Sequence, residues 1–356
     1  MKKERALLIN IYYSNLEEAT AVNDLKELEL LADTAGCQIV KSINILLKNI
    51  HAGTFLSKGK LESIKEKIQD LDINIVIINS ELKPVQVRNL VDHYKIKVIG
   101  RTELIFDIFA QRAKTREAKI QVELAQFKYL LPRLAGYGIM MSRLGGGIGT
   151  RGPGEKMIEY DRRHILRRIH TLQKKLKDIE KHHHIIAGHR KFKVASLVGY
   201  TNAGKSTLLN SLTQENLKVE DRLFVTLDST IRKVYLKDQK YILISDTVGF
   251  IKDLPHDIVA SFRATLSEIR NSDLILHIVD VSDINYEEKI ETVNNVLIDV
   301  NVDLHNCMII FNKVDQLPGK FRKNIENKYQ NSIFISGKKR INLEQLKEYI
   351  LLRTGI

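Results

Sequence analysis

The stretch FKVASLVGYTNAGKSTLLN, residues 192–210, decides the fold of the second half of the chain. An apolar, strand-like run leads directly into Gly199-x-x-x-x-Gly204-Lys205-Ser206, and a helical pattern follows. A strand, a glycine-rich loop and a helix in this order predict a phosphate-binding P-loop, because the loop N–H groups and the helix N-terminus can cradle phosphates. Lys205 would reach the β- and γ-phosphates, and the Ser206 hydroxyl would ligate Mg²⁺. The predicted phosphate-loop residues are Gly199, Tyr200, Thr201, Asn202, Ala203, Gly204, Lys205 and Ser206.

A second motif follows at the end of another apolar run, YILISDTVGF (241–250). Asp246 at this strand end can hold the shell of the Mg²⁺ ion, and Gly249 can offer its N–H to the γ-phosphate. The position of the motif, some 40 residues after the P-loop and at a strand end, makes a chance match of D-x-x-G improbable. The predicted nucleotide-sensing residues are Asp246, Thr247, Val248 and Gly249.

Two later motifs indicate which base is bound. CMIIFNKVD (307–315) places Asn312, Lys313, Val314 and Asp315 at the end of a strand. The two carboxylate oxygens of Asp315 match the N1–H and N2–H₂ donors of guanine, a pair that adenine lacks. IFISGKKR (333–340) then supplies Ser336, Gly337 and Lys338, whose backbone N–H groups could contact the base carbonyl. The four motifs in this order predict that residues 191–356 form a GTPase domain.

The switch that senses the γ-phosphate is expected between the P-loop helix and the next strand, where LFVTLDST (223–230) lies. Thr226 and Thr230 are both candidate Mg²⁺ ligands, and spacing does not choose between them. Ras-type enzymes carry a glutamine after D-x-x-G that orients the attacking water. Here that residue is Phe250, so intrinsic hydrolysis is predicted to be slow.

The first hundred residues alternate apolar strands with amphipathic helices, which predicts a small α/β domain over residues 1–100. It contains no phosphate loop, so a binding or scaffold role is expected. The candidate strands are 6–12, 37–46, 73–80 and 95–100, and a helix over 16–36 is expected to end at Gly36.

A helical hairpin with a glycine-rich tip (136–154) is predicted over residues 101–190. Apolar residues recur at 4-3-4-3 spacing on either side of the tip, which favours two long antiparallel helices paired through their seams. The alternative is two core helices joined by an ordinary loop. The seam residues are Ile120, Leu124, Phe127, Leu131 and Leu134, then Ile165, Ile169, Leu172, Leu176 and Ile179.

The tip and the end of the helix before it, from Leu124 to Gly154, contain no Asp or Glu. The helix after the tip is rich in Lys and Arg. Such a surface suits a phosphate backbone, whereas a merely solvated basic face would explain the helix but not the acid-free tip. The net charge of +13 points the same way. A cluster of histidines, His182–His184 and His189, is expected to be surface or linker, because it has no spaced metal-ligand partners.

Composition restricts the compartment. The sequence contains no run of about 18 apolar residues, so no membrane span is predicted. The stretch MKKERALLINIYYSNLEE at the start is better explained as a buried strand than as a signal peptide. The two scattered cysteines argue against a disulfide framework, so a cytoplasmic location is predicted.

GYTNAGKSTLLN, FVTLDST, DTVGFIKDLPHDIVASFRATLSE and RLGGGIGTRGPGEK together resemble the HflX family of ribosome-associated GTPases, and residues 100–134 are similar to its helical region. The resemblance covers nearly the whole chain. It implies an N-terminal α/β domain with a helical hairpin, a Ras-like P-loop GTPase domain, binding to the large (50S) ribosomal subunit and GTP-controlled splitting of ribosomes.

The resemblance also assigns residues. It assigns Mg²⁺ binding to both Ser206 and Thr226, and so chooses Thr226 over Thr230. It also assigns Lys205, Thr226 and Gly249 to catalysis. The tip is expected to enter ribosomal RNA through Arg143, Gly145, Gly146, Gly147 and Arg151. The expected nucleotide contacts of the switch are Phe224, Val225, Thr226, Leu227 and Asp228.

Two departures from the family pattern are expected. The extra C-terminal segment of some relatives is expected to be absent after Ile356, so contacts made through that segment are not carried over. Gly337 stands where relatives usually have alanine, and because its N–H remains, little effect on guanine binding is expected.

Three other functions stay open. The first is a GTPase acting on another RNA in tRNA modification or ribosome assembly, and the second is a signalling switch with a protein effector. The third, an ATP-driven enzyme, is disfavoured by Asp315. Nothing in the sequence requires a dimer, so a monomer is expected.

Overall fold

A computed structural model describes residues 3–142, 153–188, 192–213, 223–224, 230–237, 239–262 and 268–356. The chain divides into two compact units, one of Met1–Gln111 with Val122–Gln173 and one of Arg112–Gln121 with Lys174–Ile356. Both long helices of the predicted hairpin are shared between these units. The three-domain division stays a prediction.

The first unit is built on a parallel sheet of four strands in the order β2-β1-β3-β4. All four predicted strands are confirmed, as β1 (Arg5–Tyr12), β2 (Gln38–Leu46), β3 (Ile75–Ile78) and β4 (Lys97–Gly100). The helices between and after them are α1 (Glu18–Thr34), α2 (Lys58–Asp70), α3 (Pro84–Tyr94) and α4 (Arg101–Arg112). Gly36 has φ +87°, the left-handed conformation common just past a helix end.

The core of this unit follows from the alternation of side chains along each strand. Leu7 and Ile9 of β1 and Val76 of β3 face the same side and are fully buried. Ile64 of α2 and Leu90 of α3 cover that side of the sheet. The apolar side chains of these helices recur on one face, and this amphipathic pattern places them against the strands.

The two predicted long helices are present as α5 (Arg116–Ser142) and α6 (Pro153–Gly188). Their seams are largely buried, with Leu124 at 3% and Leu172 at 0% exposure. Within the first unit the Arg168 guanidinium contacts the Glu123 carboxylate at 2.6 Å, so α6 contacts α5 directly. The predicted tip residues Arg143, Gly145, Gly146, Gly147 and Arg151 lie outside the described residues.

The second unit contains a six-stranded sheet in the order β10-β9-β8-β5-β7-β6, in which only the edge strand β6 is antiparallel. Its strands are β5 (Val194–Gly199), β6 (Thr230–Tyr235), β7 (Tyr241–Asp246), β8 (Leu274–Asp280), β9 (Cys307–Asn312) and β10 (Ile333–Phe334). Its described helices include α7 (Lys205–Thr213), α8 (His256–Ser261), α9 (Tyr286–Asp299), α10 (Gly319–Lys328) and α11 (Leu343–Thr354).

Helices cover both faces of this sheet, so its strands are apolar throughout. Leu208 of α7 and Leu346 of α11 pack on the face that carries Leu197 and Ile278. On the opposite face, Ile290 of α9 packs with residues of β8 and β9. In open sheets of this kind ligands bind at the carboxyl ends of the strands where the strand order reverses, and β5 with its following loop occupies that position. No helix in the described part of the chain is long and apolar enough to cross a membrane.

Candidate nucleotide site

Two glycines of the P-loop are required by space as well as by backbone conformation. Gly199 ends β5, and a Cβ atom added to it would lie 2.2 Å from the carbonyl oxygen of Ile278 in β8. Gly204 has φ +92°, and an added Cβ would lie 2.3 Å from Asn312 Nδ2. No other residue type fits either position without moving the neighbouring strand or side chain.

Lys205 begins α7 and is 7% exposed. Its ammonium donates to the carbonyl oxygens of Gly199 at 3.0 Å and Tyr200 at 3.1 Å. Burial lowers the pKa of Lys205 to about 8, against the opposing effect of the nearby Asp246 carboxylate. A buried cation at the N-terminus of a helix, inside a loop of backbone N–H groups, is suited to an anionic ligand with several charges.

A hydroxyl and a carboxylate lie together beside the P-loop. Ser206 Oγ donates to Asp246 Oδ2 at 2.6 Å, and Asp246 is 1% exposed. Thr247 Oγ1 donates to Leu197 O of β5 at 2.7 Å, which anchors the turn after β7. Oxygen donors of this kind are those that Mg²⁺ prefers, so the residues present fit the ion. The described residues contain no group of three or more His, Cys, Asp or Glu that could hold a metal ion.

The first switch is only partly described. Val225, Thr226, Leu227 and Asp228 lie outside the described residues, so the choice of Thr226 stays a prediction. Phe224 is buried at 2% exposure with φ +52°. Thr230, the other candidate, begins β6 and pairs with Asp246 across the antiparallel ladder.

The end of the Asp246–Gly249 motif lies directly on the P-loop. A Cβ atom added to Gly249 would lie 2.8 Å from Thr201 Cγ2 and 3.2 Å from Lys205 Nζ. Phe250 follows at 2% exposure, so its side chain is in the interior of the unit.

Asn312 joins three of the four predicted motifs. Its Nδ2 donates to Ala203 O of the P-loop at 2.9 Å, and its Oδ1 accepts from Gly337 N–H at the same distance. Asn312 is 2% exposed, so both bonds are shielded from water. The side chain therefore holds the loop of Ser336, Gly337 and Lys338 beside the P-loop.

The residues flanking Asn312 are placed differently. Lys313 has φ +64°, and its ammonium contacts Asp280 Oδ2 at the end of β8 at 2.6 Å. Val314 is buried, and Asp315 is exposed in a short 3₁₀ turn. Ser336 Oγ accepts from Lys339 N–H at 3.1 Å, and Lys338 is exposed.

Three residues of this site were not predicted from the sequence. Asp280 pairs with Lys313, and its position at the carboxyl end of the apolar run LILHIVD was a usable signal. Ser211 Oγ donates to Gly337 O at 2.6 Å across the unit, and nothing local to Ser211 indicates this bond. His277 is buried in β8, where burial and then the positive charge of Lys205 lower its pKa to about 3.

A phosphate loop linked through an asparagine to a base-recognition motif, on a sheet of this topology, defines the second unit as a P-loop GTPase. Comparison with family models agrees. Residues 194–313 match a family described as a 50S ribosome-binding GTPase, residues 22–110 a GTP-binding GTPase N-terminal region, and residues 112–190 a GTP-binding GTPase middle region.

Full-length relatives identify the particular family. The chain is 45% identical over 351 residues to GTPase HflX of Caldanaerobacter subterraneus, covering 98% of this chain and 80% of the relative. It is 40% identical over 349 residues to GTPase HflX of Escherichia coli, covering 96% and 81%. The chain belongs to the HflX family of GTPases, and its activity is the hydrolysis of GTP.

Solved structures support the same fold. One is a GTP-binding protein from Sulfolobus solfataricus in complex with GDP, with 26% identity, 99% coverage of both chains and a TM-score of 0.53. Another, described as a complex of SsGBP and GDP, has 27% identity, covers 99% of this chain and 98% of that chain, and has a TM-score of 0.56.

Proposed function

We propose that this GTPase binds the large (50S) ribosomal subunit and splits ribosomes under the control of GTP, with slow intrinsic hydrolysis that the ribosome stimulates. The three proposed domains are an α/β domain (1–100), a helical hairpin (101–190) and the GTPase domain (191–356). The family description of residues 194–313 names the 50S subunit, which supports this partner.

The observation that carries the proposal is the exposed basic surface of α6. In the part of α6 that belongs to the first unit, Arg162, Arg163 and Arg167 are exposed while Ile165 and Ile169 are buried. In the part that belongs to the second unit, the exposed cations are Lys174, Lys175, Lys177 and Lys181. The apolar seam and the cations therefore occupy different sides of the helix, and exposed cations of this kind suit an RNA backbone.

Each nucleotide motif has a proposed role in this cycle. The 199–206 loop would hold the phosphates, with the Lys205 ammonium directed at the β- and γ-phosphates. Gly249 would sense the γ-phosphate through its N–H, while Asn312 positions the base loop and Asp315 recognises guanine. The backbone N–H groups of 336–338 would contact the base carbonyl.

Ser206 and Thr226 are the proposed Mg²⁺ ligands, and Asp246 would act through the shell of the ion. Mg²⁺, when bound, would neutralise charge on the β- and γ-phosphates. The described pair of Ser206 Oγ and Asp246 Oδ2 supports this assignment, because both atoms are hard oxygen donors beside the P-loop. Thr226 rests on the resemblance alone.

The glycine-rich tip is proposed to enter ribosomal RNA. Irregular, partly single-stranded RNA accepts a backbone that can approach closely, and Arg143 and Arg151 flank Gly145–Gly147 in the sequence. GTP would favour the state that binds, and hydrolysis would release it. A monomer acting in the cytoplasm is sufficient for this cycle.

Steady-state GTP turnover tests the proposal. The protein is assayed alone and with 50S subunits, 30S subunits or tRNA, each at two salt concentrations. Large stimulation by 50S subunits alone, weakening with salt, is the expected result. Stimulation by tRNA or by subunit precursors would favour the alternative GTPase of tRNA modification or assembly, and no stimulation would contradict the ribosomal partner.

The basic surface of α6 is tested by neutralising one exposed lysine. Lys174→Gln is expected to weaken binding to 50S subunits and to reduce the slope of log affinity against log salt by roughly 0.7–0.9, the value of one lost phosphate contact. Lys323→Gln removes an exposed lysine from α10 of the same unit and serves as the matched control. Equal slopes for the two variants would exclude this surface from the interface.

A further inference from the structure

The segment after Gly249 is bonded to the P-loop by its backbone. Phe250 N–H donates to Gly199 O at 3.1 Å, and Thr201 N–H donates to Phe250 O at 2.7 Å. The two bonds make a parallel bridge between Tyr200 and Phe250. Both the N–H and the carbonyl of Phe250 are therefore bonded to the P-loop, and Phe250 is 2% exposed.

Tyr200 adds a third bond to this segment, and it is made by a side chain. The Tyr200 hydroxyl accepts a hydrogen bond from Lys252 N–H at 2.8 Å. The ring is 6% exposed, and the ammonium of Lys289 lies 4.7 Å from its centroid, so the hydroxyl is held in a fixed place.

Residue 252 has a second tether on the opposite side. Lys252 Nζ forms an ion pair with Glu288 Oε1 of α9 at 2.7 Å. The segment 250–252 is thus attached both to the P-loop and to the first turn of α9. The backbone bonds of Phe250 can form with any side chain, whereas the bond to Lys252 needs the hydroxyl of Tyr200.

Position 250 is where Ras-type enzymes carry the residue that orients the attacking water, and GTPase switches rearrange with the γ-phosphate. Any rearrangement of the 250–252 segment has to break these bonds. We propose that Tyr200 is a positioning residue whose hydroxyl restrains the 250–252 segment against the P-loop and thereby slows intrinsic GTP hydrolysis. This restraint acts within the GTPase unit and requires no ribosome.

Tyr200→Phe removes one oxygen atom and keeps the ring. Loss of one hydrogen bond of ordinary net strength corresponds to a change of about five-fold. Intrinsic kcat is expected to rise by about that factor, measured as the rate constant of GTP hydrolysis in single-turnover assays with saturating enzyme. The amide of Lys252 is expected to exchange with deuterium faster by a similar factor.

Two further variants make the test specific. Tyr349→Phe is the matched control, because the Tyr349 hydroxyl also accepts a hydrogen bond, from Arg353 Nε at 2.7 Å, on a helix away from the P-loop. It should change neither kcat nor the exchange of Lys252. Glu288→Gln weakens the second tether and should raise kcat by a smaller factor while Tyr200 remains.

The proposal is overturned if Tyr200→Phe leaves kcat unchanged or lowers it, since a lower kcat means that the hydroxyl holds the segment in its catalytic position. Unchanged exchange at Lys252 also overturns it. Failure of 50S subunits to stimulate the wild-type protein would contradict the ribosomal function but would not alter either measurement.

Discussion

Replacing Gly204 by alanine tests whether the P-loop and the base-recognition motif act as one structure. At φ +92° an alanine is strained by about 1–2 kcal/mol. Its Cβ would lie 2.3 Å from Asn312 Nδ2, so Asn312 has to move and its bond to Ala203 O is lost. Leaving a buried amide without its partner costs a further ~1–3 kcal/mol. The total is about 2–5 kcal/mol.

This cost is expected to appear partly as lower stability and partly as weaker nucleotide binding. Because each tenfold change in affinity is about 1.4 kcal/mol, a cost expressed fully in binding would weaken GDP affinity by at least ~30-fold. Urea unfolding without nucleotide and equilibrium binding of a fluorescent GDP analogue measure the two parts, and their sum is the quantity predicted.

Gly36→Ala is the matched control for this experiment. Gly36 has φ +87°, nearly the same φ, but apart from Gly36 itself and its two chain neighbours no atom of the described residues lies within 4 Å of the position of an added Cβ. It should cost about 1–2 kcal/mol of stability and leave GDP affinity unchanged. A summed effect for Gly204→Ala no larger than that of Gly36→Ala would refute the reasoning, since Asn312 would then be irrelevant.

Three further predictions concern titration and base choice. The pKa of Lys205 without ligand is about 8, and a bound polyphosphate favours the charged form of its side chain. GDP affinity should therefore fall by up to roughly tenfold per pH unit above pH 8. A GDP affinity that stays constant up to pH 9.5 would contradict this. Burial lowers the pKa of His277 in the folded protein to about 3, against an ordinary value of 6.5. As the pH falls from 6.5 toward 3, the unfolded state binds a proton that the folded state does not, so the free energy of unfolding decreases. Urea unfolding of His277→Leu should therefore show about 2 kcal/mol less destabilisation between pH 7 and 5 than the wild type. Asp315→Asn should shift preference toward xanthine nucleotides in competition binding, and unchanged preference for guanine would exclude the Asp315 contact.

Local patterns were enough to predict much of the fold. Each strand of the first sheet was predicted to within a few residues, because apolar strands alternate with amphipathic helices, one of which ends just before Gly36. The long helices α5 and α6 followed from heptad spacing, which a single helix displays without reference to any other part of the chain.

The motifs of the candidate nucleotide site were also visible in the sequence, while the roles assigned to their residues stay predictions. Its motifs are short, and each follows a strand whose apolar run can be read directly. In an open parallel sheet the carboxyl ends of neighbouring strands converge, so motifs far apart in sequence can lie at one edge. The bonds of Asn312 to Ala203 and Gly337 connect three of those motifs.

The sequence by itself determined which motifs are present and that Phe250 stands where Ras-type enzymes carry a water-orienting glutamine. It also predicts that Asp315 selects guanine. Only the tertiary structure decided that Asp280 pairs with Lys313, that Ser211 holds Gly337, and that the Tyr200 hydroxyl bonds Lys252. The reason is physical. A motif is set by the backbone conformation of a few adjacent residues, whereas these contacts join residues about 30 to 130 positions apart and exist only once the strands that carry them have paired in one register.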